Sequence, residues 1–137
     1  MSLLGYCKIV PSIVPVSSNT ALTEVAIDCT GFDRVCHIIA TGAMAASSKL
    51  DYKVVEDSAA AHNVDPSDIS GAALTQVLAA TGASKVYAID VPVNPSKPYQ
   101  LATAAAATDV VLVSAIAILY NGSGTYPKVA ATQAIII

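Results

Sequence analysis

Along most of the chain, apolar and polar residues alternate in short runs separated by turn residues. Leu50, Tyr52 and Val54 alternate with Asp51 and Lys53, the period of a strand with one dry and one wet face. Thr23–Cys29 repeats the pattern, with Val25, Ile27 and Cys29 set against Glu24, Ala26 and Asp28. The turn Thr30-Gly31-Phe32-Asp33 follows, and Val35–Thr41 returns as a β-rich run ending at Gly42. Lys85–Val91 alternates again, placing Val86 and Ala88 on one face and Tyr87, Ile89 and Val91 on the other. Tyr99–Ala106 and Asp109–Tyr120 read as two strands joined near Ala107–Thr108. The second is closed by the turn signal Asn121-Gly122-Ser123-Gly124.

Other segments are less regular. Asp57–Asn63 is a polar, alanine-rich loop, and Asp65-Pro66-Ser67-Asp68 is turn chemistry. Ser70–Ala80 fits a helix through Leu74, Val77 and Leu78, capped by Ser70 and stopped at Gly82. Leu74, Gln76 and Leu78 on alternate positions fit a strand about as well, and the strand is the preferred reading. Residues 1–22 are apolar but broken by Gly5, Pro11 and Pro15, which forbids a long helix and suits an extended arm or edge strand. Seven or eight short strands with turns every 8–14 residues predict an all-β, antiparallel β-sandwich. It would form one domain over 23–137 preceded by an extended arm over 1–22.

Charge sharpens this picture. Seven Lys and Arg with ten Asp and Glu make only 12% of the 137 residues charged, against about a quarter in an ordinary soluble domain. Residues 9–23 hold none, and 110–137 hold only Lys128. Such ends are buried either in the chain's own core or by a neighbour. The residues expected to make that contact are Ile9, Val10, Ile13, Val14, Val16 and Leu22 of the arm, with Val129, Ile135, Ile136 and Ile137 of the 128–137 tail. The basic residues are scattered singly, which argues against nucleic acid. Leu101–Tyr120 is long enough for a membrane span, but Asp109 at its middle opposes one. Cys7, Cys29 and Cys36 form no C-x-x-C pair, and an odd set reads as reduced, buried thiols made in a cytoplasm.

Candidate chemistry is thin. Ser58, His62 and Asp65 share one loop without a G-x-S-x-G elbow. Adjacent strand residues point to opposite faces, so Cys36 and His37 do not act together. Cys29, Cys36 and His37 match no zinc spacing, and Glu56/Asp57 and Asp65/Asp68 match no calcium loop. The expectation is a protein that is not an enzyme and has no catalytic, cofactor or metal residues.

Val25-Ala26-Ile27-Asp28-Cys29-Thr30-Gly31-Phe32-Asp33, Ile38–Ala43 and Leu50–Ser58 together resemble a pattern in small tailed-phage virion proteins. In it a strand ends in Asp-x-x-Gly, a second strand follows, and a third closes on acidic residues. Ile69–Ala72 and Tyr87–Asp90 suit it too. The nearest kind is the capsid decoration, or cement, protein with a jelly-roll-like sandwich. That resemblance implies a homotrimer on the outer surface of the phage head, bridging subunits of the major capsid protein. Other functions considered are a tail or head–tail connector component and a carbohydrate- or host-surface-binding β-module.

Overall fold

A computed structural model describes residues 7–22 and 25–121. The alternating runs become strands: β1 (Cys7–Ser18), β2 (Ile27–Asp28), β3 (Arg34–Met44), β4 (Lys49–Asp57), β5 (Ser67–Ala73), β6 (Val77–Leu78), β7 (Val86–Pro92), β8 (Tyr99–Ala107) and β9 (Val111–Tyr120). A single helical turn, α1 (Ala79–Gly82), lies between β6 and β7. Two antiparallel sheets result, one ordered β1-β9-β3-β7 and the other β2-β8-β4-β5, with the two-residue β6 also on β4. The protein is an all-β sandwich.

The pairing is nested. β1 pairs with β9, β2 with β8, β3 with β7 and β4 with β5. The chain therefore runs as one long antiparallel hairpin with β4 and β5 at its tip, rolled so that β1 to β4 and β6 to β9 alternate between the sheets. This is jelly-roll connectivity, which needs eight strands and two Greek keys. The run 101–120 illustrates it: β8 belongs to one sheet and β9 to the other, with Thr108 at φ 72° in the turn between them. No helix among the described residues is long and apolar enough to cross a membrane.

The core forms where the inward residues meet. Leu50, Tyr52 and Val54 of β4 stand opposite Ala106, Ala104 and Ala102 of β8, and all six are buried. Small β8 residues beside large β4 ones leave room for the far sheet's Val35, Ile39, Val113 and Leu119 in the same cluster.

Two sequence expectations change. Residues 7–18 are no separate arm, because β1 is an edge strand zipped to β9 from Cys7↔Tyr120 to Ser18↔Val111. The register shifts fall between Pro11 and Ile13 and between Ile13 and Val16, so the prolines sit at irregularities where a missing N–H costs least. The 70–80 stretch is neither one strand nor one helix: β5 ends at Ala73, β6 takes Val77 and Leu78, and α1 follows. Residue 82, the last of α1, is glycine where a side chain has no room. A Cβ there would collide with Val77 Cγ1.

Candidate functional site

Strand alternation gives each sheet an inner and an outer face, and the two outer faces differ in chemistry. On the sheet β2-β8-β4-β5 the outward positions include Lys49, Asp51, Lys53 and Asp68, and Lys53 Nζ lies 2.7 Å from Asp68 Oδ1. That face is ordinary wet surface. The outer face of β1-β9-β3-β7 is not.

Its residues follow from the register. One row across all four strands is Pro11, Ile116, Ile38 and Ala88. The next is Ile9, Ile118, Cys36 and Asp90; on the other side Ser114, Ala40 and Val86 line up. Beyond them Leu112 lies over Gly42, where a Cβ would come within 2.6 Å of its Cδ2. Val86 is 70% exposed, Leu112 43% and Ile116 41%. Large apolar side chains normally leave water on folding, so a face built of them is unfinished surface.

The charges on this face are confined to one end, where Arg34, Asp90 and Tyr120 meet from three strands. Arg34 Nε donates to Asp90 Oδ1 at 3.2 Å and to the Tyr120 hydroxyl at 3.1 Å, and that hydroxyl donates to Asp90 Oδ2. Tyr120 and Asp90 hold the guanidinium in its charged form, and the Asp90 carboxylate raises the Tyr120 phenol above its ordinary value. Arg34 and Asp90 neutralise each other.

The expected contact residues of the arm divide between the outer surface and the core. Ile9 is half-buried on the outer face beside Ile118, and Val14 is 56% exposed. Ile13 and Leu22 belong to the monomer's own core, with Val10 and Val16 packed against it. The arm's apolar character therefore serves two surfaces. Val129, Ile135, Ile136 and Ile137 lie outside the described residues. Sequence reasoning missed Leu112, Ile116, Ile118, Ile38 and Val86 as contact candidates.

Elsewhere the polar side chains hold structure together. Ser58 Oγ and its amide both donate to Asp65 Oδ1, at 2.6 and 2.9 Å, holding that carboxyl well below the usual range. His62 bonds to neither, so the three do not form a proton relay. Asp57 is fully buried and accepts from the amides of Ala59, Val64 and Asp65, which closes the loop. Cys29 is in the core, its thiol pushed up to about 12 by burial, whereas Cys36 is half-buried on the outer face. His37 points inward. No group of three His, Cys, Asp or Glu is placed to hold a metal among the described residues. A shallow groove of about 490 Å³ lies on the charged face, lined by Lys53, His62, Asp68, Leu101 and Thr103 among others.

No protein-family model matches the chain, and no curated protein matches it either.

Proposed function

We propose that the protein is a structural assembly protein, a capsid decoration or cement protein that stabilises a phage head by bridging major capsid subunits. The observation that carries this reading is the apolar outer face of β1-β9-β3-β7, with its charges confined to one end. A jelly roll is a fold that viral shell proteins use, although fold by itself decides no function. What adds weight is a surface whose chemistry is contact. Its apolar rows resemble the dry core of an interface, and its single ion pair sits at the margin, where interfaces keep their polar groups. A cement protein acts in many copies, so a modest contact per copy sums to a large effect on the shell.

The test is binding to purified phage heads that lack the protein. The full chain should co-sediment with them, saturate at a fixed number of copies per head and raise the temperature at which the heads rupture. Absence of co-sedimentation across micromolar concentrations would overturn the reading.

A second reading rests on the groove between Lys53, His62, Asp68 and Thr103. Jelly rolls also carry lectin sites, and hydroxyl, carboxylate and ammonium groups suit a sugar. No Tyr, Phe or Trp stands among the groove's lining residues to stack on a sugar ring. Glycan binding without head binding would favour this alternative.

A further inference from the structure

We infer that the outer face of β1-β9-β3-β7 is covered by the same face of a second copy of this chain, in a twofold pairing. This takes from the proposed function only that the face is contact surface; its partner is a second copy, and contact with the head is left to the rest of the molecule. Four observations support a copy.

The first is charge. Arg34 and Asp90 compensate each other at one end, and the rows through Ile116, Ala40 and Leu112 carry no charge. Two such faces brought together bury no lone charge and set no like charges opposite one another.

The second is size. Four strands spaced ~4.8 Å and about ten residues at ~3.4 Å give a face of roughly 19 by 34 Å. That is about 650 Å² per copy, or about 1,300 Å² in total, inside the range of stable interfaces.

The third is relief. Exposed Leu112, Ile116 and Val86 stand among the small residues Ala40, Gly42, Ala88 and Ser114, so knobs and recesses alternate. The recess beside Pro15, Ala40, Gly42 and Leu112 has a volume of about 290 Å³ and a mainly apolar lining. A branched aliphatic side chain from a copy fits there.

The fourth is the treatment of the edges. Pro11 and Pro15 remove N–H donors from β1, and Pro92 ends β7. Growth by adding strands at those edges is thereby disfavoured, and stacking face on face is left. Sheets stacked in this way pack ~10 Å apart with interdigitated side chains.

Sedimentation equilibrium of the full chain tests the pairing. The expected mass is twice the 13.9 kDa of one chain. Ile116→Lys and Val86→Lys each place a charge in the contact and should weaken it by about 100-fold, with the β signal in circular dichroism unchanged. Val64→Lys, exposed in the loop after β4, should leave the twofold mass unchanged, and the chain shortened by deletion of 122–137 should still run at twice its own mass. A single-chain mass at every concentration overturns the inference, and so does a threefold mass. A dimer indifferent to both lysine variants, or one lost only with residues 122–137, overturns it as well. Head binding is scored separately: a monomer that binds heads refutes the pairing alone, and a dimer that ignores them refutes the proposed function alone.

Discussion

At the residue scale, the adjacent pair Cys36-His37 shows what strand period reveals. It places the two side chains on opposite faces, and they are. It does not say which face is dry, nor that His37 meets Gln100 from the other sheet, because that contact spans 63 positions. The imidazole is fully buried, with Nε2 3.0 Å from Gln100 Oε1. The Gln100 amide nitrogen donates to the Pro92 carbonyl, so Oε1 accepts and Nε2 carries the proton. Nδ1 has no hydrogen-bond partner among the described residues. Burial lowers the pKa of His37, with the Gln100 bond opposing. The unfolded chain therefore takes up a proton near pH 6.5 while the folded one resists it. Stability is intact above that pH and drains as pH falls towards the folded value, with a slope approaching ~1.4 kcal/mol per pH unit. His37→Gln should remove most of the loss in urea midpoint between pH 7.5 and 5.5. His62→Gln, altering a histidine at the edge of the groove, should leave most of it. Equal acid sensitivity in His37→Gln and the parent would show that the buried imidazole is not the cause.

At the element scale, β4 was legible because one wet and one dry face leave a clean alternation over Leu50–Val54. β1 was legible only in part. Its prolines announced an extended edge segment, but whether such a segment pairs at home or on a neighbour depends on β9, about a hundred residues later. The stretch 70–80 was ambiguous for a different reason: three short elements share it, and no single period survives. The placement of β1 makes a quantitative expectation. Ile13 is 1% exposed within the main core, whereas Ile9 lies on the outer face. Truncating a buried isoleucine costs about 2–4 kcal/mol through lost transfer energy and the cavity left behind. Ile13→Ala should therefore lower the urea midpoint by roughly 1–2 M at an ordinary slope for a small domain, and Ile9→Ala by much less. A nearly silent Ile13→Ala would mean that the strand contributes little to the monomer's core.

At the scale of the whole molecule, the apolar outer face had a trace in the sequence. Leu112, Ile116 and Ile118 fill the phase between buried Val111, Val113, Ala115, Ala117 and Leu119, so β9 runs apolar without alternating. A strand of that kind has two dry faces. What sequence could not supply was company: β3 and β7 join β9 through nested pairing, and only then do isolated apolar positions become rows. The two outer faces now make opposite demands on solution conditions. Charges such as Lys49, Asp51, Lys53 and Asp68 interact over a distance that salt shortens from about 30 Å at 0.01 M to about 3 Å at 1 M. Apolar rows are indifferent to that screening. Their attraction instead weakens on cooling, because burial of apolar surface is driven by entropy near room temperature and carries a negative heat capacity change. Self-association through the β1-β9-β3-β7 face should thus change its Kd by less than about threefold between 50 and 500 mM NaCl, and should be weaker at 5 °C than at 25 °C. Isothermal dilution calorimetry at several temperatures measures both. A Kd that rises steeply with salt, or a heat capacity change near zero, would move the contact to the charged sheet.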